Sequence, residues 1–292
     1  MKQRTPFTHY LAAMAAAGFR PSTSRGQNFL LDPSMHRWLA EQSGAGSTDT
    51  VVEIGVGLGF LTRELAAVAG HVIGIEIEPR LLEIARRELA GCDHVELLLT
   101  DAMSGPGRSL APAIGAALRD APGRGGRGLL VANLPYSISG PLLAEVAALP
   151  VLPERALLLV QKELAQRIAA PAGGADFGGL TVVVQSLFTA AVLRDVPPQV
   201  FRPRPKVMSS VVLLERRPDA LPGLMSEASR REFASFVRTL FQQRRKVLRS
   251  TLVRAAAAID RPVPELAPDL LATRAEEHGV DVIAGWWQAM QA

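Results

Sequence analysis

Asn133-Leu134-Pro135-Tyr136 carries the residue types for one uncommon piece of chemistry. A side-chain amide, an apolar residue, a proline and an aromatic directly follow the apolar run Gly128–Ala132, which reads as a buried strand. Such a group can hold a flat base that bears an exocyclic amine and make that amine reactive. The lone pair of an adenine amino group is delocalised into the ring, so the nitrogen is a poor nucleophile. An amide oxygen and a backbone carbonyl that accept its two hydrogens favour a pyramidal nitrogen with a freer lone pair. The aromatic ring stacks on the base and fixes its orientation. The same four residues also suit a strand that ends in a proline turn beside a buried tyrosine. The rest of the chain decides between these readings.

Glu53-Ile54-Gly55-Val56-Gly57-Leu58-Gly59-Phe60 is the second set. Glycines at alternate positions let the backbone turn sharply and come close to a nucleotide-like molecule. A dinucleotide fingerprint needs G-x-G-x-x-G, and here the last glycine comes one residue early. That spacing is usual for S-adenosylmethionine enzymes, in which no pyrophosphate is seated on the helix. Glu76 ends the next strand, where a carboxylate can take both ribose hydroxyls. Asp101 follows the third strand, where its oxygen can accept from the cofactor's adenine amine. Either acid alone also suits a helix cap or a surface charge. A glycine turn, Glu76 and Asp101 at three successive strand ends together point to S-adenosylmethionine at the carboxyl edge of a sheet.

These groups need a frame, and from about residue 50 strands and helices alternate. Strands are expected at Thr50–Ile54, His71–Ile77, Val95–Leu99, Gly128–Ala132 and Ala156–Val160, with helices at Leu61–Ala69, Pro79–Ala90 and Lys162–Ala169. Repeated units of this kind predict an α/β fold with a doubly wound, mostly parallel sheet. Ser104–Gly128, rich in Gly, Pro and Arg, reads as an extended surface connection with room for a helix at Pro112–Leu118. Leu180–Phe188 suits a strand by its valines and a helix by its length. Ala190–Val196 and Ser209–Glu215 read as later strands. Beyond Arg216, Pro218 and Pro222 mark a linker. One helical run is then expected over Ser229–Ala258, with Phe233, Phe236, Val237, Leu240, Phe241, Leu248 and Leu252 on one face. Arginines, Arg230 and Arg231 among them, crowd the remainder. Pro264–Ala272 and Val280–Met290 also read as helices, so the expected division is 1–216 and a small all-α domain at 217–292.

The 292 residues include 48% hydrophobic and 21% charged residues, which suits a globular chain with a substantial core. The pI of about 9.7 rests almost wholly on arginine, because Lys2, Lys162, Lys206 and Lys246 are the only lysines. Arginine's planar fork suits phosphates and base edges, though a genome of biased base composition would enrich it equally. The single cysteine, Cys92, excludes an internal disulfide and a cysteine-based metal site, and no metal is expected. No apolar stretch approaches the ~18 residues of a membrane span. Leu11–Phe19 reads as a helix that stays on the mature protein rather than a signal peptide, and the protein as cytoplasmic.

In these motifs the chain resembles the ribosomal RNA adenine dimethyltransferases, the KsgA/RsmA group. The likeness rests on Gly26–Leu30, the glycine turn, Glu76, Asp101, Asn133–Ser139, Val160–Glu163, Phe201–Ser209, Gln243–Leu248 and Arg274–Glu277, and so covers nearly the whole chain. It implies a Rossmann-like methyltransferase domain over 1–216 and a helical RNA-binding domain over 217–292. It implies that Asn28, Leu30, Gly55, Gly57, Glu76, Asp101 and Asn133 form an S-adenosylmethionine site. A flipped adenine would lie at Asn133, Leu134, Pro135 and Tyr136, with Phe201 closing over its other face. No general base is needed, since the methylated, ammonium-like nitrogen loses its proton to water. Arg204, Lys206, Arg244, Arg245, Lys246 and Arg249 are the expected RNA phosphate contacts. The implied reaction is dimethylation of two neighbouring adenines in a hairpin near the 3′ end of 16S rRNA, within a small ribosomal subunit or its precursor, by a monomer. Val56 stands where the family usually has proline, Phe177 where it tends to have tyrosine, and the Ser104–Gly128 connection has no obvious counterpart in compact relatives. Three rival readings are a macrolide-resistance enzyme acting on large-subunit RNA, a binding protein that keeps the fold without catalysis, and a DNA adenine methyltransferase. Leu134, where the resistance enzymes more often have isoleucine, and the C-terminal motifs favour the small-subunit enzyme.

Overall fold

The computed structural model describes residues 7–21 and 27–291. Gly26 of the N-terminal motif and the basic residues Lys2 and Arg4 lie outside the described residues. The chain begins with α1 (Phe7–Ala16), β1 (Phe29–Leu30) and α2 (Pro33–Ser43). It continues through β2 (Thr50–Ile54), α3 (Phe60–Ala66), β3 (His71–Glu76), α4 (Pro79–Glu88), β4 (Val95–Leu99), α5 (Pro112–Asp120) and β5 (Gly128–Asn133). Then come α6 (Ser139–Ala147), β6 (Arg155–Gln161), α7 (Lys162–Ile168), α8 (Gly179–Gln185), β7 (Phe188–Val196), β8 (Phe201–Arg202) and β9 (Ser209–Arg216). Four helices close the chain: α9 (Glu227–Phe241), α10 (Leu248–Ala257), α11 (Pro268–Leu271) and α12 (Val280–Ala289). Among the described residues no helix is long and apolar enough to cross a membrane.

Seven strands form one sheet in the order β4-β3-β2-β5-β6-β9-β7, and β1 pairs antiparallel with β8 in a second, two-stranded sheet. The pairs β3/β4, β2/β3, β2/β5 and β5/β6 are all parallel. β2 is buried along its whole length and β5 along all but its last residue, which is why neither shows apolar–polar alternation, although β2 carries the acid Glu53 among its apolar residues. The chain proceeds outward from β2 to β4, then returns to β5 on the other side of β2. That reversal makes a topological switch point at the carboxyl ends of β2 and β5. Around it Leu65, Val72, Leu129, Val131 and Leu157 form part of one apolar core. Asp32 caps α2 by accepting from Ser34 N at 2.8 Å, with Pro33 preset for the first turn.

Contacts gather the chain into two compact units. One falls within Met1–Leu142, Pro153–Lys162 and Leu193–Leu213, and the other within Leu143–Leu152, Glu163–Val192 and Leu214–Ala292. The second therefore takes in chain from the middle of the sequence as well as the C-terminal helices.

Three local expectations change. The 104–128 connection contains the helix allowed for at Pro112–Leu118, as α5, and its Ile114, Ala117 and Leu118 are buried, so the segment is more than a surface connection. Leu180–Phe188 resolves into most of α8 followed by the start of β7. The single helix expected over Ser229–Ala258 is two helices. Gln242 to Lys246 are five consecutive polar, exposed residues that offer no buried side chain to sustain another turn. The chain resumes as α10 where Leu248 N–H reaches the Thr273 carbonyl at 2.7 Å.

Candidate active site

Parallel register brings the functional strand ends together. Ile54 of β2 lies level with Ile75 of β3 and with Ala132 of β5, so Gly55, Glu76 and Asn133 leave the sheet side by side. Glu76 is level with Leu99, which brings Asp101 to the same edge. These ends border a cavity of about 420 Å³, also lined by Asn28 and Leu30. That volume lies within the ~300–1,000 Å³ of small-molecule sites.

The floor is the glycine turn. Gly55, Gly57 and Gly59 have φ of +86°, +57° and +80°, a left-handed conformation that L side chains resist. A Cβ on Gly57 would also press on the Phe29 ring at 3.4 Å. The turn opens a donor, since Gly57 N–H binds Glu76 Oε2 at 2.8 Å while Glu78 N–H binds Oε1 at 2.9 Å. Each carboxylate oxygen is thus fixed in place and keeps a further lone pair. Burial pushes the Glu76 carboxyl above its ordinary pKa, and the backbone donors of Glu78, Gly57 and Ile77 pull it back. Val56, in place of the family's usual proline, is buried against Ala85 and Leu89.

Glu53 is the feature sequence reasoning missed. It lines the cavity from inside β2, and burial raises its pKa to about 8, with the nearby Glu76 charge adding to the rise. The Thr62 hydroxyl is near enough to offset part of this, but it closes no hydrogen bond of good geometry. Glu53 Oε2 and Thr62 Oγ1 both lack a partner. The available signal was an acid within a β-branched buried strand, a position where carboxylates are rare.

At the end of β5, Asn133 Nδ2 donates to the Asn28 carbonyl at 3.2 Å, which leaves Oδ1 as an acceptor. Leu134 is buried and its N–H extends the ladder to the Leu159 carbonyl at 3.1 Å. The Pro135 carbonyl has both lone pairs engaged, by Ile138 N–H at 3.1 Å and Ser139 Oγ at 2.9 Å. The Leu134 carbonyl takes no hydrogen bond among the described residues. Tyr136 is half-buried, and its hydroxyl meets Ser209 Oγ at 2.5 Å. Opposite, Asp101 is exposed at the cavity rim and accepts from Met103 N–H at 2.9 Å.

A family described as Ribosomal RNA adenine dimethylase matches residues 18–261. A Moorella thermoacetica protein named Ribosomal RNA small subunit methyltransferase A is 41% identical over 242 residues, covering 83% of this chain and 82% of that protein. A Deinococcus radiodurans protein of the same name is 37% identical over 281 residues, covering 94% of this chain and 88% of its own. This chain belongs to the ribosomal RNA adenine dimethylase family. It is accordingly an rRNA adenine dimethyltransferase by class. The solved structure of a dimethyladenosine transferase from Plasmodium falciparum has a TM-score of 0.68 at 24% identity, over 88% of this chain and 94% of that one, a likeness of fold.

In this adenine dimethylase the remaining expected site residues separate. Phe201 does not line the cavity. It pairs with Leu30 across β1 and β8, and its ring is fully buried in the apolar core. Arg204 and Lys206 are exposed, as are Arg245, Lys246 and Arg249. Arg244 differs, because its guanidinium pairs with Glu276 at 2.8 Å and donates to the Phe177 carbonyl at 2.9 Å. Arg230, expected on the basic face of the helix, is buried and donates to the carbonyls of Leu224, Met225, Leu149 and Pro150. Arg231 pairs with Glu145 and Glu227. These three arginines shape their own unit, and helical periodicity cannot distinguish such a residue from one facing solvent.

Proposed function

We propose that this protein transfers methyl groups from S-adenosylmethionine to N6 of two adjacent adenines in a hairpin near the 3′ end of 16S rRNA. Its substrate is a small ribosomal subunit or its precursor, and it works as a cytoplasmic monomer in subunit biogenesis. One observation carries the reading. Asn133, tied through Nδ2 to Asn28, shares a single cavity with the glycine turn, Glu76 and Asp101.

The residues fit the cofactor. The left-handed glycines form a cradle that a side chain would fill, and the fixed Glu76 oxygens have lone pairs for two vicinal hydroxyls. Asp101 Oδ2 is an acceptor for an adenine amine, while Oδ1 holds Met103 N–H. S-adenosylmethionine, when bound, supplies a methyl group on a positively charged sulfur. The chain's own part is to place and activate the amine. Asn133 Oδ1 and the Leu134 carbonyl are the two acceptors left by the bonds around them, and they suit the two hydrogens of one amino group. Tyr136 offers the stacking face, and an adenine within a duplex must be extruded to meet it. Phe201 lies in the apolar core outside the cavity lining, and no base contact is assigned to it. Positioning of this kind is worth several orders of magnitude in rate. The released proton goes to water, so no side-chain base is required.

Arg204, Lys206, Arg245, Lys246 and Arg249 are assigned to RNA phosphates, because they are exposed and unpaired among the described residues. Incubation of the protein and labelled S-adenosylmethionine with undermethylated small and large ribosomal subunits, followed by mapping of modified bases, tests the proposal. Two adjacent dimethyladenines in the small subunit are expected. Modification confined to the large subunit would overturn it.

A further inference from the structure

The Val160–Glu163 motif and the Ser209 end of the Phe201–Ser209 motif have no place yet in the reaction, but the structure joins them beside Tyr136. Ser209 and Ser210 open β9 and are fully buried, ahead of the apolar Val211 and Val212. A hydroxyl is seldom placed in such a position without a partner. Ser209 Oγ meets Tyr136 Oη at 2.5 Å, and this is the phenol's only hydrogen bond among the described residues. The adjoining Ser210 Oγ donates to Asp195 Oδ1 at 2.7 Å, and Lys162 Nζ binds Asp195 Oδ2 at 2.6 Å. Lys162 also donates its backbone N–H to the Met208 carbonyl at 3.0 Å. The first residues of β9 are therefore held from both sides, by side chains through Asp195 and by the backbone through Met208. Ser209 cannot drift with the tyrosine. It fixes where the ring's far end lies, and two points, Cα and Oη, define the long axis of a phenol.

We propose that Ser209 is a positioning residue for methyl transfer, holding the Tyr136 ring in its base-stacking orientation from an anchor made by Lys162, Asp195 and Ser210. This rests on the reading of Asn133–Tyr136 as the base site. Stacking aligns the amine with the methyl donor, and misplacement by about 1 Å can cost on the order of 100-fold in rate. The ring itself would remain when Ser209 is truncated, so the effect belongs on kcat and not on cofactor binding.

A double-mutant cycle of Ser209→Ala and Tyr136→Phe tests this, assayed by single-turnover methylation of undermethylated small subunits. Ser209→Ala should lower kcat by roughly 10-fold to 100-fold with an unchanged KM for S-adenosylmethionine. In a Tyr136→Phe background the same substitution should change kcat by less than about twofold, since the hydroxyl it acts through is gone. An equal loss in both backgrounds, or no loss in either, overturns the positioning role. A second readout does not need activity. Tyr10 and Tyr136 are the only tyrosines, so in a Tyr10→Phe protein the phenol absorbance near ~295 nm reports Tyr136 alone. Burial already raises the Tyr136 pKa and the Ser209 hydrogen bond lowers it, so Ser209→Ala should move the titration to higher pH. An unmoved titration also overturns the proposal. Wild-type protein inactive on small subunits, with the titration shift intact, would instead overturn the functional reading and with it the kinetic claim.

Discussion

Replacing Glu53 by Gln should make the protein more stable in alkali and change it little in mild acid. The wild-type carboxyl is fully buried, Oε2 has no hydrogen-bond partner, and its pKa rises from 4.5 to about 8. In the folded state it is neutral below pH 8, whereas in the unfolded chain it ionises above pH 4.5. Its contribution is therefore complete below pH 4.5, is lost steadily as pH rises, and is gone above pH 8. The 3.5 units between 8 and 4.5, at about 1.36 kcal/mol each, give a swing on the order of 5 kcal/mol. Glutamine keeps the shape and neutrality of the acid but does not titrate. Between about pH 5.5 and about pH 8.5 the stability difference should move in favour of Glu53→Gln by roughly 3 kcal/mol. For a chain of this size that is ~6–12 °C in relative Tm. Thermal melts of both proteins across that range, followed by circular dichroism without methyl donor, measure it. Parallel curves, with a Tm difference constant to about 2 °C, would show that Glu53 is already ionised in the fold and refute the reasoning.

Asn133→Ala should abolish methyl transfer while leaving RNA affinity within about threefold, because in the proposed reaction the amide acts on the extruded base and not on phosphates; filter binding beside the methylation assay checks both. Alanine at Arg245, Lys246 and Arg249 together should weaken RNA binding and reduce the slope of log affinity against log salt by about 2 to 3, near 0.7–0.9 for each phosphate no longer neutralised. A salt titration that leaves the slope unchanged would remove these residues from the interface. Arg230→Met should cost roughly 3 kcal/mol, since four carbonyls lose a buried donor. Urea denaturation measures it, and RNA affinity of the folded variant should be unaltered.

Much of the catalytic half was legible because its chemistry sits at strand ends. A strand of five or six apolar residues declares itself by composition, and in a parallel sheet each next residue leaves at the same edge. Gly55, Glu76, Asp101 and Asn133 could therefore be placed together from one-dimensional pattern, and they border one cavity. The basic C-terminal helices were harder. Their apolar faces were read correctly at Phe233, Phe236, Leu240, Leu248 and Leu252, all buried. The break between α9 and α10 and the inward turn of Arg230 depend on partners distant in sequence, 81 residues away in the case of Leu149.

The sequence alone determined which residue types stand at which strand ends, and so the class of reaction, because local pattern and backbone direction suffice for that. Tertiary structure decided what surrounds each group. It buried Phe201 in the core through pairing with Leu30, and it set Tyr136 against Ser209 across 73 residues of chain. It also raised Glu53 to a pKa near 8 by stripping it of water. Register, long-range partners and local dielectric arise only when distant segments pack, and no periodicity along the chain records them.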